Sequence, residues 1–404
     1  KKLNDEVEPT KHNIYYILCN LLMSSLLALV YTNDLFTAYV FVEINTIAAC
    51  GLIMIRQNGR CIEAAVRYMI MSLLGSGLLL MGICMLYDLT GHLLMENIQQ
   101  QIAAIMAAGT YQIPLLITIG IITVGLAIKS ALFPFHSWVP DAYGYSTVSS
   151  GAILSSLVSK GYIFLLFKII YRVIGFRTFA DSHILSLLFL FGLCGMIFGS
   201  ISAIWEKDIR RMIAFSSVAQ IGYIYMGLGL GTEMGVIAGI FHMLAHGATK
   251  SLLFVSAIGL TDVSGGSRSF FELTGSAYRN KVAGAGFLVA SLSMVGIPMF
   301  AGFVSKLLFA QAAVLVPSWK LFPTLIVLAV STVLNTIYFL KTVVRIYSPA
   351  NKEEVQAKGY FCRRFPEQKV YAVTMVLFIL VNLILGMNSQ PIIALIAEGL
   401  HHFA

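Results

Sequence analysis

The stretch GLAIKSALFPFHSW, residues 125–138, carries the two features that decide the fold. Lys129 lies inside an apolar segment, residues 114–133, that is long enough to cross a bilayer. Pro134 interrupts this segment, and proline removes a backbone N–H donor and breaks or kinks a helix. The sequence therefore predicts a membrane helix that is broken beside a charged group.

The whole chain has the composition of a membrane protein. Of its 404 residues, 58% are hydrophobic and 11% are charged, whereas charged residues make up about 25% of a typical soluble domain. The apolar runs are continuous and do not alternate, which favours helices over barrel strands. We predict an all-α integral membrane fold with about eleven transmembrane helices, at 14–30, 35–55, 65–87, 114–133, 149–171, 184–204, 212–230, 235–260, 282–311, 322–346 and 369–388.

The distribution of charge predicts an orientation. The net charge of +8 is spread over short loops, which argues against nucleic-acid binding. Loop 88–113 has no Lys or Arg, whereas basic residues concentrate in the N-terminal tail and in loops 56–67, 205–211, 261–281 and 347–369. Because basic loops stay on the cytoplasmic side, we predict a cytoplasmic N-terminus.

The cysteines show no metal-ligand spacing. None of the six forms a CxxC pair, and most lie in apolar runs, where cysteine packs as a small apolar residue. We therefore predict no disulfide framework, no metal site and no cofactor on this chain. The six are Cys19, Cys50, Cys61, Cys84, Cys194 and Cys362.

The two prolines suggest an internal repeat. Pro134 and Pro298 interrupt the fourth and ninth segments, which are the fourth members of two successive five-helix units. Because five is an odd number, the second unit is inserted upside down, as in ion-coupled transporters with broken helices. We predict one repeat at 1–178, with a short cytoplasmic tail, a second at 179–350, and a cytoplasmic loop plus the last transmembrane helix at 351–404.

Ionisable residues within the predicted spans are the candidate site. Each costs about 2.5–3.5 kcal/mol on insertion scales, so these groups must pair or line a hydrated cavity. Lys168, Lys341 and Arg345 lie close enough to helix ends to reach the headgroups. The deeper candidates are Glu43, Lys129, Lys160, His242, His246, Lys250 and Lys306. Glu43 is the only deep acid, and we expect it to pair with Lys129.

The eighth span carries a polar face. His242, His246 and Lys250 recur every four residues and so share one side of a helix. A metal site needs a third ligand, which no nearby cysteine or acid supplies. Another interpretation is that the two histidines are core residues that bond to backbone carbonyls. Lys250, one turn further on, favours instead a row of hydrated polar side chains. Buried lysines can release protons when a countercharge leaves, and histidines titrate near neutral pH.

Four strings carry a resemblance to a known family. The chain resembles the antiporter-like subunits shared by respiratory complex I, Mrp cation/proton antiporters and membrane-bound energy-converting hydrogenases. The resemblance covers essentially the whole chain. The strings are KSALFPFHSWVPDAY at 129–143, DIRRMIAFSSVAQIGY at 208–223, FHMLAHGATKSLLF at 241–254 and GIPMFAGFVSK at 296–306.

The resemblance implies two inverted five-helix repeats and a proton relay. In it, Glu43 and Lys129 form the first-half ion pair, Lys160 bridges toward the centre, and Lys306 is the second-half lysine near the exit. His242, His246 and Lys250 belong to a central hydrophilic axis. The family usually has fourteen helices, so we expect its first three to be absent or missing from this sequence. We also expect the chain to lack the long amphipathic arm of the largest complex I subunit of this kind, which argues against that particular subunit.

We therefore expect a proton-translocating subunit of a redox-driven pump, related to energy-converting hydrogenase or Mrp more than to complex I proper. The expected partners are further antiporter-like subunits, a small multi-helix subunit and, indirectly, a peripheral redox arm that carries the electrons. The expected location is the prokaryotic inner membrane. Two alternatives remain: a subunit of a secondary Na+/H+ antiporter without a redox partner, and a structural subunit that conducts nothing.

Overall fold

The fold is built from helices. The computed structural model describes residues 6–316, 319–349 and 367–403, and no strand occurs within those ranges. The helices are α1 His12–Tyr31, α2 Leu35–Met54, α3 Gly59–Thr90, α4 Met95–Ala108, α5 Gln112–Lys129, α6 Val139–Tyr145, α7 Val148–Ile174, α8 Phe176–Asp181, α9 Ile184–Trp205, α10 Ile209–Gly229, α11 Glu233–Asp262, α12 Ser276–Arg279, α13 Lys281–Val295, α14 Ala301–Val314, α15 Leu321–Ile346, α16 Glu367–Met387 and α17 Gln390–Phe403.

The predicted membrane spans are confirmed. Ten helices of the described residues are long and apolar enough to cross a bilayer, and each corresponds to a predicted segment. The remaining predicted segment, 282–311, is divided into the two shorter apolar helices α13 and α14. The all-α membrane fold follows from the same continuous apolar runs that the sequence shows.

Five helices lie outside the predicted segments: α4 and α17, which are the longest of them, and the short helices α6, α8 and α12. The segment 88–113, expected to be a loop, contains the end of α3 and the whole of α4, and α17 follows the last span. In α4, Met95, Ile98 and Ile102 are buried at helical spacing, while the opposite face is polar. Short amphipathic helices have too little mean hydropathy to stand out as spans, so a search for apolar runs misses them.

One compact unit contains α1–α6, residues 157–188 and the end of α17. Within it, α3 and α5 cross at Gly75 and Gly125 with their backbones in contact. A Cβ atom at Gly125 would lie 2.7 Å from the Gly75 carbonyl oxygen, and one at Gly75 would lie 2.9 Å from Cγ of Lys129. Small residues allow membrane helices to approach this closely.

The other compact unit comprises residues 148–156 and 189–396. Here α9 and α10 cross at Gly192 and Gly222, where a Cβ atom on Gly222 would lie 2.6 Å from the Gly192 carbonyl oxygen. Almost all of α10 is buried, and its Tyr223 belongs to an apolar core with Phe241 and Phe309. The repeat boundaries at residues 178 and 350 stay a prediction, and the cytoplasmic loop predicted from residue 351 lies mostly outside the described residues.

Both predicted helix breaks are present. Helix α5 ends at Lys129, and the chain continues through residues 130–138, which include Pro134, before α6 begins. Helix α13 ends at Val295, and Gly296, which has φ +91°, caps it by donating its N–H to the carbonyls of Leu292 and Ser293. A left-handed glycine followed by Pro298 is a common helix stop. Each break leaves backbone carbonyls at a helix end within the span.

Candidate functional site

The ion pair predicted in the first half is present. Lys129 is the last residue of α5, and its side chain is 0% exposed. Its Nζ lies 3.5 Å from Oε1 of Glu43 and donates to the Thr46 hydroxyl at 2.7 Å. The Ser76 hydroxyl donates to the same carboxylate. Glu43 and Thr46 lie three residues apart on α2, so one face of this helix presents both groups to the lysine.

A neutral polar network surrounds this pair. The Lys129 ammonium lies 5.4 Å from the centroid of the Tyr162 ring, within cation–π range. The Tyr162 hydroxyl donates to Oδ1 of Asn45 at 3.0 Å, and the Asn45 amide donates to the Ser25 hydroxyl at 3.1 Å. The network therefore joins α1, α2, α5 and α7 around one ammonium. Sequence reasoning missed Asn45 and Tyr162 because uncharged polar residues are common in membrane helices.

Lys160 is buried midway along α7, as predicted. The residue is 7% exposed, and its Nζ donates to the Ser159 hydroxyl at 3.3 Å. A π-helical turn, Leu154–Val158, ends two residues before it. Such turns are rare inside helices and occur often at functional sites. The bridging role that the resemblance implies for Lys160 stays a prediction.

The polar face of α11 is also present. The rings of His242 and His246 are parallel, with centroids 6.0 Å apart, and both residues are buried. Nδ1 of His242 lies 3.0 Å from the Ser305 hydroxyl, and its ring stacks on Tyr223 at a centroid distance of 5.3 Å. In the described part of the chain, no three His, Cys, Asp or Glu side chains are placed to hold a metal ion.

A small cavity lies between the histidines and Lys306. Its volume is about 10 Å³, which is room for about one water molecule. Its polar lining comes from Gln220, His242, His246, Thr249, Ser293 and Lys306. Several hydrogen-bonding residues therefore line one space, and the hydrated arrangement that the spacing on α11 favoured stays a prediction.

Lys250 and Lys306 are bound by uncharged oxygens. Lys250 Nζ donates to the Ile213 carbonyl at 2.7 Å and to the Ser216 hydroxyl. Lys306 Nζ donates to the Val295 carbonyl at 2.6 Å and to the Thr332 hydroxyl at 3.0 Å. Val295 ends α13, so its carbonyl belongs to the negative end of that helix dipole. The broken helix thus supplies a partial negative charge where the first half supplies a carboxylate.

Lys168, expected to reach the headgroups, lies at the end of a neighbouring helix, and its contact with the headgroups stays a prediction. The residue is 3% exposed, and its Nζ donates to the Val30 carbonyl at 2.7 Å and to the Thr32 carbonyl. These carbonyls lie at the C-terminal end of α1, where they have no partner within the helix. Lys168 therefore caps a neighbouring helix.

Comparison with known proteins gives the family. Residues 32–334 match the family described as NADH:quinone oxidoreductase/Mrp antiporter, transmembrane. The chain belongs to this family. This confirms the resemblance carried by the four strings of the sequence.

Relatives and solved structures agree. The NADH-quinone oxidoreductase subunit N of Desulforudis audaxviator is 34% identical over 339 residues, which are 84% of this chain and 66% of that relative. Two solved structures are each 26% identical and cover 96% of this chain. A chain of the membrane-bound sulfane sulfur reductase, an archaeal respiratory membrane complex, has a TM-score of 0.84 with 76% of that chain covered. A chain of the Mrp complex from Dietzia sp. DQ12-45-1b has a TM-score of 0.82 with 77% covered.

Proposed function

We propose that this chain is the proton-translocating, antiporter-like membrane subunit of a multi-subunit, redox-driven ion pump. The observation that carries the proposal is the fully buried Lys129 ammonium paired with Glu43 inside the membrane spans. A charge placed there is costly, and ionisable groups within spans mark ion pathways more often than structural roles. Family membership supports the same conclusion.

In the first half, Glu43 controls the proton on Lys129. While the carboxylate lies beside Nζ, it stabilises the ammonium. When Glu43 is protonated or turns away, burial without a countercharge favours the neutral amine, and Nζ gives up its proton. Thr46 holds Nζ in place during this step because its hydroxyl accepts a hydrogen bond from the lysine.

In the second half, the cavity provides the transfer point. The space has room for about one water molecule, which would act as a proton carrier between His246 and Lys306. His242 is fixed by Ser305 and Tyr223, so its ring nitrogens keep a defined direction. A histidine can accept and donate a proton near neutral pH, and it can therefore pass the charge between neighbouring groups.

The proposed setting is a larger membrane complex. Both solved neighbours at 26% identity are chains of complexes, one respiratory and one of the Mrp type. We propose further antiporter-like subunits, a small multi-helix subunit and a peripheral redox arm as partners, with this chain carrying no redox centre. An energy-converting hydrogenase-like or Mrp-related complex in the prokaryotic inner membrane remains our preferred parent.

Substitution of Lys129 tests the proposal. In membranes that contain the parent complex, we expect Lys129→Ala to assemble normally and to lose proton uptake, measured by quenching of a pH-sensitive acridine dye. Lys281→Ala is the matched control, because Lys281 is exposed outside the spans. Intact pumping with reduced assembly would instead support a structural subunit.

The same assay addresses the secondary-antiporter alternative. Sodium sites usually require several carboxylate or carbonyl oxygens. Among the described residues, Glu43 is the only acid that forms an ion pair with Lys129. We therefore expect proton uptake driven by the redox donor to be unchanged when sodium is replaced by potassium. Proton movement that requires sodium and no redox donor would favour the antiporter.

A further inference from the structure

A pocket of about 340 Å³ lies where two membrane helices end, and none of the four relay lysines, Lys129, Lys160, Lys250 and Lys306, lines it. Helix α9 ends at Trp205, and Arg345 lies in the last turn of α15. Both residues line the pocket, and its inner wall includes Tyr338. Since the helix ends mark the edge of the spans, the pocket is at the depth of the lipid headgroups.

The loop after α11 forms the outer wall of the pocket. Backbone hydrogen bonds attach this loop to both helix ends: Phe270 N–H donates to the Lys207 carbonyl at 3.4 Å, and Gly275 N–H donates to the Arg345 carbonyl at 3.3 Å. The adjacent Phe271 lines the pocket and is 78% exposed. The opening is therefore defined by fixed backbone on both sides.

The pocket is positively charged. Lys207, Lys341 and Arg345 line it, and among the described residues none of the three forms an ion pair. The one acid in the lining, Glu206, is already bound, because its carboxylate accepts from Nε of Arg211 at 2.9 Å and from the Lys207 N–H at 2.8 Å. The lining therefore offers three cations to an anion.

The aromatic rim fits a lipid. Trp205 is 79% exposed beside Phe271, and exposed aromatic side chains at helix ends are typical of the membrane interface. Basic pockets between membrane helices bind anionic headgroups, and the basic loops of this chain predict that this side is cytoplasmic. A soluble anion would use the cations and leave the exposed aromatic rings without a partner.

We propose that this pocket binds an anionic phospholipid, with the phosphate at Lys207, Lys341 and Arg345 and the acyl chains along Trp205 and Phe271. Tyr338 closes the inner end, where its hydroxyl donates to Oδ1 of Asn335 at 2.6 Å. A volume of 340 Å³ accommodates a headgroup and leaves the chains outside in the bilayer. The proposal stands whether or not the chain conducts protons.

Photolabelling tests this site in membranes that contain the full chain in its complex. The two probes are phosphatidylglycerol and phosphatidylcholine with the same photoreactive acyl chain. We expect phosphatidylglycerol to label the peptides that contain Trp205 and Phe271 more strongly than phosphatidylcholine does. In Lys341→Gln/Arg345→Gln, that labelling should fall roughly 25-fold, about fivefold for each cation removed near the surface.

Two matched variants serve as controls. Lys281→Gln removes an exposed cation on the same predicted side, outside the pocket, and should label as the wild type does. The exchange Lys341→Arg/Arg345→Lys keeps both charges and should restore labelling. Equal labelling by the two lipids would overturn the proposal, as would full labelling of the double variant or displacement of the probe by inorganic phosphate. Absence of labelling by both lipids in the assembled complex would overturn it too, because the pocket would then not be open to the bilayer.

Discussion

At the scale of single residues, the two halves hold their buried lysines differently. Lys129 has a carboxylate, Glu43, at 3.5 Å, whereas Lys306 has the Val295 carbonyl and the Thr332 hydroxyl. A carboxylate can be protonated and a carbonyl cannot, so only the first arrangement can be switched by moving a proton on the partner. This difference makes the Glu43 pair the place where control of the relay is expected.

Asp208 allows a prediction outside the membrane spans. It caps α10, because its Oδ1 accepts from the N–H of Arg210 at 2.8 Å and of Arg211 at 3.3 Å. Burial nevertheless raises the pKa of the Asp208 carboxyl above its ordinary value, and this effect outweighs the nearby Arg268 charge and the two N–H donors, which lower it. The charged carboxylate therefore carries a net cost in the folded protein.

This shift gives the sign of the pH dependence. Because the pKa of Asp208 is higher in the folded protein than in the unfolded chain, this carboxyl group contributes stability at pH values below its unfolded-state pKa. That contribution is lost as the pH rises through the folded-state pKa. At neutral pH we expect Asp208→Asn, which keeps the cap acceptor, to be as stable as the wild type or more stable. Asp208→Ala loses the cap and should be about 1 kcal/mol less stable. Thermal unfolding in detergent from acidic to neutral pH measures both; an Asn variant as unstable as the Ala variant would contradict this assignment.

At the scale of elements, the break between α13 and α14 depends on Gly302. A Cβ atom at this position would lie 1.8 Å from the Ser293 carbonyl oxygen, so even alanine must displace α14. Because α14 carries Lys306, we expect Gly302→Ala to lower stability by roughly 1–3 kcal/mol and to reduce proton uptake.

Gly120 provides the matched control for this change. A Cβ atom there meets no atom within 4 Å, and the residue lies in the interior of α5. Alanine is the better helix former by about 1 kcal/mol, so Gly120→Ala should be neutral or stabilising. Thermal midpoints of the two variants, measured with uptake in vesicles, decide the matter. Equal effects at both positions would show that the close contact at Gly302 is unimportant.

The elements that the sequence predicted are those with a strong local cause. Long apolar runs identified the spans, and Pro134 and Pro298 identified the breaks. Lys129 and Glu43 could be identified from the sequence because charged residues are rare within apolar segments. Helix α4 and the partners Asn45 and Tyr162 could not be predicted, because their signal depends on the tertiary packing that buries them.

At the scale of the whole molecule, each compact unit has its own broken helix and its own buried lysines. Lys129 and Lys160 belong to one unit, and Lys250 and Lys306 belong to the other. The sequence predicted which buried lysines and which ionisable neighbours each unit contains. It could not predict how many of their partners would be hydroxyl or carbonyl oxygens, because nearly every membrane helix contains such groups.

Accessibility of single cysteines tests the predicted orientation. In a cysteine-free background, we expect Thr110→Cys to react with a membrane-impermeant maleimide in intact cells, and Lys281→Cys to react only after permeabilisation. Both positions are exposed between membrane spans, and the loop that contains Thr110 lacks basic residues. The reverse pattern would place the N-terminus outside and would contradict the positive-inside assignment.

The crossing of α3 and α5 at Gly75 and Gly125 has a kinetic consequence. Because the two backbones touch beside Lys129, sliding one helix past the other would force carbonyl oxygens into collision. Motion at this point is therefore restricted to rotation of the lysine and glutamate side chains and to displacement of solvent. Register shifts of helices take microseconds to milliseconds, whereas side-chain rotations are faster. The local charge transfer at Lys129 should accordingly be faster than the turnover of any complex that contains it, and the slow step should lie elsewhere.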